Sequence, residues 1–140
     1  MATMDPQTKI RPHILVADDS PEDRFLLGRA FARSGFGDVV SMVENGEAAI
    51  DYLSQKPCPD LLLLDLKMPK VDGFDVLAWL QATPRLRELP VVVLSSSILP
   101  EDEAQAKALG AKDYLVKGHD FAKTVLALHS HVLSSAGKDL

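Results

Sequence analysis

The stretch Asp60-Leu61-Leu62-Leu63-Leu64-Asp65-Leu66-Lys67-Met68-Pro69 decides the fold. Four consecutive leucines cannot alternate between water and a core, so they indicate a strand covered on both faces, as in the middle of a parallel sheet. The strand ends at Asp65, and Pro69 cannot continue a hydrogen-bonded ladder. A carboxylate at the carboxyl end of a buried parallel strand lies where open α/β sheets place their binding sites. Asp65 is therefore the first candidate functional residue.

The rest of the chain alternates short apolar runs with segments that carry helix-start signals. Ser20 and Asp72 are typical capping residues, and Pro100 suits the first turn of a helix. Gly35 and Gly110 are typical of helix ends. The further strands are predicted at 13–17, 39–43, 91–94 and 113–116. The helices are predicted at 20–34, from 45 to the prolines at 57 and 59, at 72–83, at 100–110 and at 120–134.

Five strands that alternate with five helices predict parallel βαβ units with right-handed crossovers and helices on both faces of the sheet. The predicted fold class is therefore α/β, a doubly wound (βα)5 sheet. We expect one domain over residues 12–135, between a polar N-terminal tail at 1–11 and a C-terminal tail at 136–140.

Composition narrows the function classes. The 140 residues include no apolar run near the ~18 residues of a membrane span, so we expect no membrane association. Residues 1–12 lack the apolar region of a secretory signal. The net charge of −5 argues against a nucleic-acid-binding surface. The single cysteine, Cys58, permits no intrachain disulfide and fits a cytoplasmic location.

Polar residues follow four of the predicted strands, namely Asp18 with Asp19, then Asp65, Ser95 and Lys117. In a doubly wound sheet these strand ends meet at one edge. Three carboxylates brought together repel by roughly 1 to 4 kcal/mol per pair at ~4 Å. Mg²⁺ offsets such repulsion because it prefers carboxylate, carbonyl, water and phosphate oxygens. Together with a lysine and a hydroxyl, the set predicts a phosphoryl-transfer site with Asp65 as the nucleophile.

This ordered set resembles the receiver domain of two-component response regulators over residues 14–133. The matching motifs are Asp18-Asp19, Asp65 with Met68-Pro69 and Gly73, Ser95, and Lys117. The resemblance implies a flavodoxin-like sheet with strand order 2-1-3-4-5. It also implies that Asp65 accepts a phosphoryl group from the phosphohistidine of a sensor histidine kinase.

The resemblance further implies a role for each neighbour of Asp65 in holding Mg²⁺. Asp19 and Asp65 would bind the ion directly, and Asp18 would bind it mainly through water. The backbone carbonyl of Lys67 would supply another ligand, and Lys117 would pair with the phosphoryl oxygens.

Two residues are implied as a switch. Ser95 would hydrogen-bond the phosphoryl group and shift towards it, and Tyr114 would then turn inward. New charge at one edge of the sheet would thus bias a two-state element, as in other phosphorylation switches.

The chain departs from the usual family pattern after the fifth strand. Lys117-Gly118 stands where the family usually has Lys-Pro with a cis bond. A cis bond before a residue other than proline costs ~2.5 to 4 kcal/mol, so we expect a trans bond here. The missing proline and the opening at residues 18–24 are similar to the small receivers that partner bacterial phytochromes. A bacteriophytochrome is therefore a candidate for the sensor kinase.

The predicted last helix carries two adjacent apolar stripes where a surface helix needs one. One interpretation is a broad core face. The other is a homodimer or kinase interface formed by helix 4, strand 5 and helix 5. The stripes comprise Phe121, Val125, Leu128 and Val132, and Ala122, Leu126, His129 and Leu133.

The predicted function is a stand-alone receiver, a phosphorylatable switch rather than an enzyme. A small aspartate-nucleophile phosphatase is one alternative, but it needs a second acid two residues after the nucleophile, where this chain has Lys67. A flavin carrier is another, but Asp18 and Asp19 would repel the flavin phosphate. The third alternative is a docking receiver that is never phosphorylated, which the complete acid set disfavours.

Overall fold

The computed structural model describes residues 13–33, 35 and 39–117, and these form a parallel sheet with helices on both faces. The strands are β1 (Ile14–Ala17), β2 (Val40–Val43), β3 (Leu61–Leu64), β4 (Val91–Ser95) and β5 (Asp113–Val116). The helices are α1 (Pro21–Arg33), α2 (Gly46–Gln55), α3 (Gly73–Gln81) and α4 (Pro100–Ala108), and a short 3-10 helix covers Pro84–Leu86.

The five strands lie in the order β2-β1-β3-β4-β5, and every pair is parallel. This confirms the predicted α/β class and strand order. The leucine run is the central strand, in register with β1 from Ile14 opposite Leu61 to Ala17 opposite Leu64. All four leucines are fully buried because both neighbouring positions and both faces are covered.

The two faces of the sheet form two separate cores. Leu62 and Leu64 face the larger core, which contains buried residues of α2, α3 and α4. Leu61 and Leu63 face the smaller core, where α1 contributes Leu27 and Phe31. Successive side chains of a strand point to opposite faces, so the run of leucines supplies both cores.

The predicted helix starts are found where the capping residues stand. Asn45 accepts a hydrogen bond from the backbone of Ala48 at the start of α2, at 2.7 Å. At the start of α3, Asp72 accepts from the backbone of Asp75, and Asp75 accepts in return from the backbone of Asp72. Such a reciprocal pair satisfies two backbone donors of the first turn that have no partner within the helix.

Some predictions fall outside the described residues. These are the helix at 120–134 with its two stripes, the Lys117–Gly118 bond, and the tails at 1–11 and 136–140. Within the described part of the chain, the helices are all too short or too polar to cross a membrane.

Candidate functional site

The polar residues predicted from strand ends lie together at what we call the carboxyl edge of the sheet, formed by the ends of β1, β3, β4 and β5. Asp18, Asp19 and Asp65 each place a carboxylate oxygen within 4.8 Å of the others. Lys117 reaches the same point from the end of β5. Ser95 is the last residue of β4, one position inside the strand rather than after it as predicted.

Three hydrogen bonds, to β2, to α1 and within the loop after β1, fix Asp18. The backbone of Asp18 donates to the Val43 carbonyl at 3.2 Å, and its own carbonyl accepts from Arg24 Nη1 at 2.7 Å. Its carboxylate accepts from the backbone of Ser20 at 2.9 Å. Asp18 is therefore buried and rigidly oriented, whereas its neighbour Asp19 is exposed.

Asp65 is held by the elements on either side of it. Its backbone N–H extends the ladder to the Ala17 carbonyl at 2.9 Å, and its carboxylate accepts from the backbone of Lys67 at 3.3 Å. Behind it, α3 begins so close that a Cβ on Gly73 would lie 2.4 Å from the Asp65 carbonyl oxygen. Any larger residue at 73 would displace the strand end or the helix.

Lys117 makes ion pairs with three carboxylates. Its Nζ donates to Asp18 Oδ2 and to Asp23 Oδ2 at 2.7 Å each, and to Asp65 Oδ2 at 3.3 Å. Asp23 was not among the predicted site residues. Acids in a first helical turn usually complement the helix dipole, and that explanation accounted for Asp23 from sequence. The signal that could have found it is its position five residues after Asp18, in the first turn of α1.

The pKa values at the carboxyl edge reflect crowding and burial. Burial raises the pKa of Asp65 from 3.8 to about 6, and Asp18 adds to the rise while Lys117 opposes it. For Lys117, burial lowers the pKa, but hydrogen bonds to Asp18 and Asp23 and the charge of Asp65 raise it more. Lys117 therefore stays charged. Asp65 is mostly ionised at neutral pH, but its pKa lies only about one unit below pH 7.

The two predicted switch residues are linked through Ser97. Ser95 is fully buried, and its hydroxyl accepts from the backbone of Ser97 at 3.2 Å. The hydroxyl of Tyr114 donates to the Ser97 carbonyl at 2.9 Å, so this side chain already lies inward. Ser97 also donates its own hydroxyl to Asp102 at 2.6 Å, in the first turn of α4. The coupling of Ser95 and Tyr114 to phosphorylation stays a prediction.

The donor set fits a hard divalent cation. Three carboxylates converge without enough positive charge to balance them, and all the candidate ligand atoms are oxygens. The three acids belong to one cluster, and within the described ranges Asp23 is not part of it. The backbone carbonyl of Lys67 lies in the loop directly after Asp65, and its role as a ligand stays a prediction.

Comparison with known proteins agrees with this geometry. Residues 14–129 match the family described as the response regulator receiver domain. A probable methanogenesis regulatory protein, FilR2 of Methanothrix harundinacea, is 38% identical over 113 residues, which cover 77% of this chain and 73% of that protein.

Two solved structures are similar along most of their length. The Mn²⁺-bound form of the response regulator Rcp1 has a TM-score of 0.74 and 31% identity, covering 88% of this chain and 90% of that one. The phosphorylated cyanobacterial phytochrome response regulator RcpA has a TM-score of 0.73 and 34% identity, covering 89% of this chain and 90% of that one.

Proposed function

Because the chain belongs to the response regulator receiver domain family, we propose that it is a phosphorylation switch whose acceptor is Asp65. The observation that carries the proposal is the gathering of Asp18, Asp19 and Lys117 around this one carboxylate. Positioning and charge neutralisation are the main requirements of phosphoryl transfer, and this cluster offers both.

In the proposed reaction a carboxylate oxygen of Asp65 bonds to phosphorus, and the bond between phosphorus and the donor's histidine nitrogen breaks. The bonding electron pair leaves with the histidine, and Asp65 becomes an acyl phosphate. The reaction needs ionised Asp65, and a pKa of about 6 keeps most of it ionised at pH 7. Lys117 Nζ, now 3.3 Å from Asp65 Oδ2, would pair with the transferred oxygens.

We propose Mg²⁺ as the cation, with Asp19 and Asp65 as direct ligands and Asp18 mainly through water. The carbonyl of Lys67 would complete the protein's share of the ligands. When bound, Mg²⁺ would neutralise charge on the phosphoryl oxygens. The burial of Asp18 and the exposure of Asp19 support this division, because the exposed carboxylate is the freer of the two to turn towards an ion.

The switch is proposed to run from Ser95 through Ser97 to Tyr114. If Ser95 turns towards the phosphoryl group, its hydroxyl gives up the hydrogen bond from the Ser97 backbone. Ser97 carries the carbonyl that holds Tyr114, so movement at one end alters the contact at the other.

The proposed phosphodonor is a sensor histidine kinase. Two observations favour a phytochrome-type kinase, namely the opening at residues 18–24 and the similarity to RcpA, described as a phytochrome response regulator.

A homodimer through helix 4, strand 5 and helix 5 is a further proposal. A measured mass in solution that does not change when Leu126 and Leu133 are made charged would exclude it.

The chain is proposed to act as a switch rather than as an enzyme on external substrates. A phosphatase of the aspartate-nucleophile kind needs an acid two residues after the nucleophile, and Lys67 stands there. A receiver used only for docking has no need for three acids at one point, and each of them costs folding free energy by repulsion.

The test is to incubate the protein with Mg²⁺ and acetyl phosphate and to map the modified residue by mass spectrometry. Asp65→Asn should abolish labelling. Asp60→Asn is the matched control, because Asp60 precedes the same strand at its other end and should label like the natural protein. Undiminished labelling of Asp65→Asn would place the acceptor elsewhere and overturn the proposal.

A further inference from the structure

We propose that Asp23 is a positioning residue, which keeps Lys117 at the carboxyl edge while a divalent cation occupies the neighbouring carboxylates. The inference rests on the proposed function, since it concerns the same cation and the same lysine. It goes beyond that function by giving a role to an acid outside the metal cluster.

The contacts of Lys117 show how strongly Asp23 competes for it. A lysine ammonium has three donor hydrogens, and here they point to three carboxylates. The two short contacts, at 2.7 Å, go to Asp18 and Asp23, and the contact to Asp65 is longer at 3.3 Å. Asp23 therefore holds the lysine as closely as the buried Asp18 does.

The start of α1 explains why Asp23 is available. At the third position of a helix, an acid often accepts a hydrogen bond from the capping residue's backbone. At α1 that backbone N–H, on Ser20, already donates to the carboxylate of Asp18 at 2.9 Å. Ser20 still caps the helix by accepting from the backbone of Asp23 at 3.2 Å, but the Asp23 carboxylate is left to bind Lys117.

A cation and the lysine need the same carboxylates. Asp18 and Asp65 belong to the acid cluster and also pair with Lys117, whereas Asp23 lies outside the cluster and, among the residues that the structure describes, forms an ion pair only with Lys117. A cation that draws Asp18 and Asp65 also repels the ammonium, so Lys117 needs a partner that the cation does not take. Asp23 is that partner. Without it, a cation could bind only by displacing Lys117 from its remaining two partners.

The first test measures Mg²⁺ binding directly by titration calorimetry, without any phosphodonor. Asp23→Asn should weaken Mg²⁺ affinity roughly tenfold, which is the size expected when Lys117 loses a carboxylate at contact distance. Glu22 is the neighbouring exposed acid of the same helical turn, so Glu22→Gln removes the same charge and should change Mg²⁺ affinity by less than about twofold. Asp23→Glu should recover most of the affinity. An unchanged affinity in Asp23→Asn would overturn the proposal.

A second test separates positioning from simple attraction between Asp23 and the cation. In a Lys117→Met background the effect of Asp23→Asn should disappear, because there is no lysine left to hold. If the roughly tenfold loss persists there, Asp23 acts on the cation itself and the proposal fails.

A third measurement does not depend on how well Lys117→Met folds. The side-chain NMR resonance of Lys117, in protein with labelled lysine, should shift on adding Mg²⁺ much more in Asp23→Asn than in the natural protein. Equal shifts in the two proteins would contradict the proposal.

The outcomes are distinct from those of the proposed function. If the natural protein is labelled at Asp65 and Asp23→Asn binds Mg²⁺ as tightly as the natural protein does, only the role of Asp23 is refuted. Natural protein that neither binds Mg²⁺ nor becomes labelled refutes the proposed function.

Discussion

The two edges of the sheet both carry clustered polar side chains, yet they differ in charge. Among the described residues of the carboxyl edge, the cations of Lys117 and Arg24 face the carboxylates of Asp18, Asp19, Asp23 and Asp65, so negative charge is in excess. At what we call the amino edge, formed by His13, Ser41, Tyr52 and Asp60, polar groups satisfy one another. The amino edge contains one acid, Asp60, whose carboxylate accepts a backbone hydrogen bond, whereas four acids meet at the carboxyl edge, so the two edges differ in how much like charge they concentrate.

The described residues of the amino edge form a connected hydrogen-bond network. The Tyr52 hydroxyl lies 2.9 Å from His13 Nε2 and donates to Ser41 Oγ at 3.2 Å, and Ser41 Oγ lies 3.2 Å from the same histidine nitrogen. Asp60 accepts from the His13 backbone at 2.8 Å. These contacts connect β1, β2 and α2, so we expect changes at this edge to alter stability without altering phosphorylation.

The largest effect is expected from Lys117→Met at the carboxyl edge. The change leaves buried Asp18 and Asp65 without their cation, which should cost about 3 kcal/mol of unfolding free energy in the absence of divalent ions. Urea unfolding, followed by the fluorescence of the single tryptophan, Trp79, measures it. Added Mg²⁺ should restore part of the loss.

The control for that change is Lys107→Met. Lys107 forms an exposed ion pair with Glu103 at 3.1 Å, so its loss should cost less than about 0.5 kcal/mol. Equal losses of unfolding free energy in the two variants would mean that the carboxylates at the carboxyl edge depend on Lys117 no more than Glu103 depends on Lys107.

The next largest effect is a pH dependence at Asp65. Because the pKa of Asp65 is raised, the folded protein keeps a proton between pH 4 and about 6 that the unfolded chain has already released. The free energy of unfolding of the natural protein therefore falls as the pH rises through that window. Asp65→Asn lacks this loss. Without divalent ions, the unfolding free energy of Asp65→Asn should equal that of the natural protein near pH 4. At pH 7 it should be higher by about 1 to 2 kcal/mol, after allowing for solvent screening. A constant difference across this range would contradict the shift.

A change at the amino edge should have a smaller and purely structural effect. Tyr52→Phe removes the hydroxyl shared by His13 and Ser41, which should cost about 1 kcal/mol of unfolding free energy. The rate at which acetyl phosphate labels Asp65 should stay the same. A slower rate in this variant would mean that the two edges are coupled.

The smallest effect is expected at the start of α3, which lies at the carboxyl edge as the start of α1 does. Asp75 holds in α3 the position that Asp23 holds in α1, but its carboxylate returns to the backbone of Asp72. Asp75→Asn should cost about 0.5 kcal/mol and leave Mg²⁺ affinity unchanged in calorimetry. A weakened affinity would mean that any acid near this edge assists the cation.

Much of the fold followed from the sequence because its strongest signals are local. The run from Leu61 to Leu64 predicted a strand buried on both faces, and the capping residues Ser20 and Asp72 predicted where two helices begin. The strand order came from the family resemblance, since pairing between distant strands leaves no mark in a short window. The 3-10 helix at Pro84–Leu86 was not predicted, because proline there indicated only the end of α3.

The candidate site could be predicted only in part. Residues at strand ends were found because parallel topology brings them together, as it does Asp65 and Lys117. Asp23 was missed because a local explanation, the helix dipole, already accounted for it. The inward position of Tyr114 depends on a carbonyl in the loop after β4, which no sequence pattern specifies.

The close contact between Gly73 and the Asp65 carbonyl has a mechanical consequence. Because α3 begins against the end of β3, the backbone of Asp65 has a rigid neighbour behind it, and the proposed phosphorylation of its side chain would leave this backbone no room to move towards α3. Displacement would then be directed to the opposite side of Asp65, where Lys117 lies. The absence of a side chain at Gly73 would thus determine the direction in which phosphorylation of Asp65 moves the neighbouring residues.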